Sequence, residues 1–224
     1  MRRLFILRPE PGAGATVESA KAMGLDAVAM PLFAIDPVKW EAPEAGGFNG
    51  LLLTSANAVR HGGDQLRALR GLRVYAVGEA TCNAAREAGF DIASTGDAGV
   101  ERLLGSIESG LKLLHLCGEH RTAVKAAQAI TAVPVYRSDE LPPPSDFDQI
   151  AGQAVAVHSP RAARRFGELA DQAGIDRATI RIAAISEAAA AGVGDGWEAR
   201  EAAECPDDRA LLALAARLCD YCRQ

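Results

Sequence analysis

The chain has 224 residues, 49% of them hydrophobic and 24% charged, with a formal net charge of −5. That balance fits a globular protein with one large core or two modest ones. It argues against a general nucleic-acid binder, which would be basic, while leaving room for an acidic ligand in a locally basic cleft.

In chain order, short apolar runs alternate with longer amphipathic stretches. Strands are predicted at Leu4–Leu7, Ala27–Met30, Gly50–Thr54, Arg73–Val77 and Asp91–Ser94. The second half adds Lys112–Leu116, Val133–Tyr136, Ala154–His158, Arg181–Ile185 and Ala199–Ala203. Helices are expected over 14–23, 56–69, 79–88, 100–108, 120–130, 160–173, 187–193 and 208–221. Apolar strand runs without strict alternation imply burial on both faces, as in a parallel sheet covered by helices. The βαβα rhythm is that of an α/β protein. Met1-Arg2-Arg3 precedes only four apolar residues before Arg8, too few for a signal segment, and no apolar run approaches 18 residues. The expectation is a cytoplasmic protein without membrane contact. Five cysteines, scattered and odd in number, read as reduced thiols; Cys219 and Cys222 lack the second pair of a zinc site.

The chain also repeats itself. Leu51 to Val59 (LLLTSANAV) is echoed by Val155 to Ala163 (VAVHSPRAA), and Tyr75 to Ala80 (YAVGEA) by Ala183 to Ala188 (AAISEA). The offset stays between 104 and 108 residues, far longer than a solenoid period, so two similar lobes with a ligand-sized cleft are expected. Phe33 to Trp40 and Tyr136 to Pro144 fall at the same point of the repeat and contain proline. They read as extended, exposed crossovers. Two crossovers give a discontinuous lobe, 1–35 with 141–224, around a central lobe, 38–138. A single cut near residue 110 is the alternative, and spacing alone leaves both open.

Several motifs carry chemistry. Pro11-Gly-Ala-Gly14 suggests a dinucleotide loop, but Val17 stands where its third glycine belongs. A turn and helix start is the better reading, and a nucleotide-dependent oxidoreductase is weakened. Ser55 and Asn57 follow a strand and open a helix, where they cap the helix or meet a ligand. His158-Ser159-Pro160-Arg161 repeats that placement. Gly78 lets a ligand approach the backbone, and Thr81 offers a hydroxyl beside it. His115, Cys117 and His120 tempt a metal reading, without a carboxylate partner to complete it. Arg121 is the more interesting residue there, as an anion contact. Arg161, Arg164 and Arg165 share one helical face.

Arg8-Pro9, TSANAV, VGEAT followed by Ala88-Gly89-Phe90, Leu116-Cys-Gly-x-x-Arg121, Val135-Tyr-Arg137, HSPRAA and ISEA, in that order, resemble the uroporphyrinogen-III synthase family. The resemblance covers nearly the whole chain and rests on order and spacing. It implies an α/β fold of two similar lobes, each a parallel sheet flanked by helices, joined by two extended crossover segments. It also implies closure of hydroxymethylbilane, a linear tetrapyrrole with eight carboxylates, to uroporphyrinogen III with ring D inverted. No metal or organic cofactor is implied. Tyr136 matches the family's tyrosine and is the candidate for assisting departure of the hydroxyl as a hydrogen-bond donor or acid. Ser55 and Thr81 match substrate-contacting positions, Arg8 and Arg121 are carboxylate contacts, and Ser159 is the second-lobe counterpart of Ser55. Two departures stand out: Leu7 where the family often has threonine, and Ser186-Glu-Ala-Ala189 where a Gly-x-Thr-Thr pattern is usual. The expected protein is a monomer that binds this small molecule and neither nucleic acid nor membrane. The contrasting reading is a non-catalytic two-lobed binding protein for a small acidic metabolite.

Overall fold

The computed structural model describes residues 1–96, 99–120 and 124–220. The chain divides into two compact units, Met1–Ala34 with Glu140–Gln224, and Ile35–Asp139. We call them the outer and the inner unit.

The outer unit contains β1 (Leu4–Ile6), α1 (Gly12–Ala22) and β2 (Ala27–Ala29) from the N-terminal segment. From the C-terminal segment come β9 (Ala154–Val157), α5 (Pro160–Gln172), β10 (Arg181–Ala184), α6 (Glu187–Gly192), β11 (Ala199–Ala202) and α7 (Asp208–Asp220). The sheet order is β11-β10-β9-β1-β2, and every pair is parallel. Alternate residues of β1 explain why its run is wholly apolar. Phe5 and Leu7 face a core with Ala162, Phe166 and Leu169 of α5, while Leu4 and Ile6 face one with Val17 of α1 and Leu211, Leu214 and Leu218 of α7. Ser159 caps α5, Pro160 opens it, and its buried stripe is Ala162, Ala163, Phe166, Leu169 and Ala170.

The inner unit holds β4 (Gly50–Leu53), α2 (Ala56–Arg60), β5 (Val74–Val77), α3 (Glu79–Glu87), β6 (Ile92–Gly96), α4 (Val100–Gly105) and β7 (Lys112–Gly118). Two strands, β3 (Phe33–Pro37) and β8 (Ala129–Glu140), run across the division between the units. Their sheet has the order β3-β8-β7-β4-β5-β6, parallel from β8 to β6. One face carries a core of Leu51, Leu53, Val74, Leu114, Leu116 and Val135 under α2 and α3. Among the described residues the opposite face has a smaller core, Leu52, Leu113, Leu103 and Leu104, under α4.

The fold class is the one the sequence indicates, an α/β protein with two parallel-dominated sheets flanked by helices. Three local expectations need correction. The stretch 33–40 is not merely an extended link, because Phe33–Pro37 is a strand of the six-stranded sheet. The helix expected over 56–69 is interrupted: α2 stops at Arg60 and a 3-10 helix runs from Gly63 to Leu69. Gly63 takes a φ of +63° there, which an ordinary residue resists. Of the helix expected over 120–130, residues 121–123 lie outside the described residues, and 124–130 are not helical. β8 begins at Ala129, opposite Lys112 of β7. The buried Gln128 amide donates to the carbonyls of Leu104, in the last turn of α4, and Glu108, just after it, at 2.9 and 3.1 Å. Strand pairing and this tether override an alanine-rich sequence.

Candidate active site

In doubly wound sheets, ligands bind beyond the carboxyl ends of the strands, where the strand order reverses. The reversal lies between β1 and β9 in the outer unit and between β4 and β7 in the inner unit. The strongest sequence candidates sit at these two points.

In the inner unit β4 ends at Leu53, and Thr54 and Ser55 follow at the edge. Ser55 is the N-cap of α2, and its hydroxyl accepts from the Asn57 backbone N–H at 3.2 Å. Across the reversal, Thr54 Oγ1 lies 3.0 Å from Nε2 of His115, a residue only 3% exposed on β7. His115 is therefore engaged as a buried hydrogen-bonding side chain. Among the described residues no three His, Cys, Asp or Glu side chains gather as metal ligands.

Tyr136 reaches this edge through an irregularity. Cys117 pairs with Pro134, but Gly118 pairs with Tyr136, so Val135 is an extra residue on β8. Pro134 has no N–H to give to the ladder, which suits a bulge. A regular strand would turn Tyr136 to the face opposite Val133 and Val135. The bulge brings it onto the same face, where it packs on the core under α2. Its ring lies directly over Gly118: a Cβ there would stand 2.8 Å from Cε2, 2.9 Å from Cζ and 3.2 Å from the hydroxyl. The Ser55 side chain is close enough to the phenol to favour its ionised form. Burial pushes the Tyr136 phenol above its ordinary value, the nearby Ser55 hydroxyl partly offsets this, and nearby Cys117 adds to the rise. Tyr136 therefore stays protonated at neutral pH. The His61 ring, just after α2, stands 6.4 Å from the Tyr136 ring between centroids. Burial lowers the His61 pKa against the raising pull of Asp36, with Arg60 lowering it further, so His61 is neutral beside Tyr136.

Asn57 and Gly78 share this edge. Asn57 is half-buried, and its backbone N–H bonds Ser55. Gly78 opens α3 with a φ of +81° and has no heavy atom within 4 Å of an added Cβ, so its backbone is sterically open. Thr81, in the first turn of α3, is 5% exposed and presents little surface. Arg121 lies outside the described residues.

The outer unit uses its edge differently. Arg8, after β1, passes over the start of α1, where a Cβ on Gly12 would come within 2.7 Å of its Nε. Its Nη1 donates to both carboxylate oxygens of Asp208, at 2.9 and 2.8 Å, and to Thr16 Oγ1 at 3.2 Å. Thr16, fully buried, donates to Asp208 Oδ2 at 2.7 Å. His158, at the end of β9, approaches Asp208 Oδ1 at 3.4 Å, and neither ring nitrogen completes a well-formed hydrogen bond. Burial lowers the His158 pKa, with Asp208 pulling the other way. For Asp208, burial works against ionisation, yet His158, the Arg8 charge and the Thr16 hydroxyl outweigh it and hold the carboxyl at about 2. Ser159 caps α5, accepting from the Ala162 N–H at 3.1 Å.

The structure thus gathers Ser55, Asn57 and Tyr136 in the inner unit and gives Arg8 an internal carboxylate in the outer one. Sequence reasoning missed Gly118, His61 and the Arg8–Thr16–Asp208 cluster. The Pro134 interruption in an apolar run was a usable signal for the bulge; nothing local ties Arg8 to a residue 200 positions away.

Fold and site together define a two-unit, doubly wound α/β protein with polar side chains at the carboxyl edge of each sheet. The family description HEM4, uroporphyrinogen-III synthase HemD, matches residues 14–213. The chain belongs to the uroporphyrinogen-III synthase family, and with it to the lyases of tetrapyrrole and heme biosynthesis. Among solved structures it is similar to the uroporphyrinogen-III synthetase of Helicobacter pylori, at 16% identity and a TM-score of 0.63, covering 97% of this chain and 100% of that one. A mutant uroporphyrinogen III synthase of Thermus thermophilus is similar at 18% identity and a TM-score of 0.56, covering 97% and 99%. At such identities the likeness speaks for the fold. Comparison with curated proteins returns no match. No helix among the described residues is long and apolar enough to cross a membrane.

Proposed function

We propose that the inner-unit edge carries the chemistry of the synthase reaction, with Tyr136 as the acid. Hydroxymethylbilane must lose its hydroxyl before it can close. Tyr136 gives its proton to that oxygen, the C–O bond breaks, water leaves, and an azafulvenium species remains. Ring closure through a spiro intermediate then inverts ring D. The reactive species also closes unassisted to the wrong isomer, so holding one folded geometry matters more than a strong acid. The carrying observation is the seat of Tyr136: protonated, half-buried, over Gly118 and beside Ser55.

Ser55, Asn57, Gly78 and Thr81 are the proposed binding positions of this edge, with Arg121 as a carboxylate contact. In the outer unit, Ser159 is proposed at the matching helix start. Arg8 is proposed to receive a substrate carboxylate through Nε and Nη2, since its bonds to Asp208 and Thr16 use only Nη1. The outer and inner units are read as the two domains, discontinuous and central. A monomeric cytoplasmic protein that uses no cofactor and binds neither nucleic acid nor membrane completes the reading.

The test is to supply freshly generated hydroxymethylbilane and resolve the isomers formed. Isomer III is expected in excess. Isomer I at the proportion seen without protein would defeat the catalytic reading, and saturable binding with that proportion would point to the non-catalytic binder.

A further inference from the structure

We infer that Gly118 is a positioning residue for the synthase reaction, the seat that fixes where Tyr136 places its hydroxyl. This rests on the assignment of Tyr136 as the acid. The bulge at Val135 turns Tyr136 onto the α2 face but leaves its ring free to rotate about the side-chain bonds. The floor under the ring limits that freedom. The three heavy atoms nearest an added Cβ on Gly118 are Cε2, Cζ and the hydroxyl oxygen of Tyr136, with no backbone atom among them. Gly118 has no positive φ, so its conformation does not demand glycine. The space above it does. Gly118 ends β7, Ser55 lies just beyond β4, and Tyr136 stands on the adjacent β8 level with Gly118. Gly118 supports the ring, and Ser55 stands beside it. The Ser55 hydroxyl oxygen already accepts from the Asn57 N–H, so its own proton is available to Tyr136, and the Tyr136 proton can point outward.

A methyl group at 118 meets the free end of a side chain rather than the main chain. The ring therefore swings away while the strand stays in place. Stability changes little, and the acid moves by about an ångström or more. Displacements of that size cost on the order of 100-fold in rate.

Gly118→Ala is expected to lower kcat by about 10- to 100-fold, with KM within about threefold of wild type. In the Tyr136→Phe background the same change should have no further effect on kcat. An ultraviolet titration of the ligand-free protein, with Tyr136→Phe as the blank, reports the phenol directly. Among the described residues Cys117 acts on the phenol directly, the His61 ring stands beside it, and Asp36 and Arg60 act on His61. Gly118→Ala should shift the Tyr136 ionisation down toward its ordinary value as the ring gains solvent, whereas Ser55→Ala should shift it up. Wild-type kcat together with an unmoved titration would overturn the inference, as would an equal loss of kcat in the Tyr136→Phe background. Any loss of Tm in Gly118→Ala should disappear in the Tyr136→Ala background, and a loss that persists there places the clash elsewhere and overturns it too. Wild-type turnover in Tyr136→Phe alone would remove Tyr136 from the chemistry, and the titration would still report whether Gly118 seats the ring.

Discussion

The two carboxyl edges are built alike and furnished differently. Each lies at the reversal of a doubly wound sheet, and each has a serine capping the helix after the central strand, Ser55 before α2 and Ser159 before α5. In the outer unit Arg8 Nη1 and Asp208 pair their charges, and Thr16 and His158 stand on the same carboxylate. In the inner unit the described groups include the uncharged hydroxyls of Thr54, Ser55 and Tyr136 and the neutral imidazole of His61, with Thr54 hydrogen-bonded to the buried His115. A repeated scaffold has thus put an ion-paired clasp at one edge and Tyr136, the proposed proton donor, at the other. The clasp ties α7 and α1 to β1. The donor needs a precise place and no charge of its own.

The largest effect should separate the two edges by chemistry. Tyr136→Phe keeps the ring over Gly118 and removes only the hydroxyl. Turnover is expected to fall by about 10²- to 10³-fold, the scale of losing a general acid, with Tm nearly unchanged. Stopped-assay kinetics with isomer analysis checks it, and full turnover would erase the contrast between the edges.

The next effect is on stability and belongs to the outer edge. Asp208→Ala leaves the Arg8 guanidinium and the buried Thr16 hydroxyl without their carboxylate, a cost of about 2 kcal/mol. Urea unfolding should show it, and a variant as stable as wild type would mean the clasp contributes nothing. Acid should loosen the same clasp in stages. His158 is pushed below its ordinary 6.5, so the folded state resists its protonation and stability declines as pH falls from about there. Asp208 is held at about 2 against an ordinary 3.8, so its contribution is complete above about 4 and is lost as pH falls through 2. Because the Asp208 side chain is 39% exposed, solvent screening reduces that contribution to about 1 kcal/mol. Asp208→Asn should flatten the lower limb of a Tm–pH profile and deepen the limb below about pH 6.5, because His158 loses the carboxylate that pulls its pKa up. An unchanged lower limb would remove Asp208 from the account.

Much of this contrast was legible in the sequence, for stateable reasons. Burial on both faces makes strands such as Leu4–Leu7 read as unbroken apolar runs, and the 104-residue echo of Leu51 to Val59 placed Ser55 and Ser159 at matching helix starts. What stayed hidden depends on distant partners. Gln128 lies in an alanine-rich stretch that scores as helix, and only its bonds to Leu104 and Glu108 show why it is not. Arg8 carries no local sign that Asp208 will claim it. Tyr136 could be picked out by its motif, whereas its facing depends on a one-residue bulge, which an alternation rule places on the wrong side.

The smallest effects test whether the copies diverged at their other pair of helix starts. α3 begins with Gly78 at a φ of +81°, and its counterpart α6 begins with Ser186 in extended backbone, its side chain accepting from the Ala189 N–H at 3.3 Å. Exchanging the two residues should be asymmetric. Gly78→Ser meets no atom within 4 Å of its Cβ, so its cost is the backbone alone: φ +81° with ψ 148° lies in a region almost exclusive to glycine, about 1–3 kcal/mol. Ser186→Gly loses a cap bond but keeps a residue favoured at helix starts, so only about a few tenths of a kcal/mol are expected. Matched thermal melts of the two single variants measure the difference. Equal costs would mean that the positive φ of Gly78 is incidental. A larger cost at Gly78 would mean that the inner unit has given up a serine cap to keep an open backbone at the edge that carries Tyr136, a concession the outer unit never had to make.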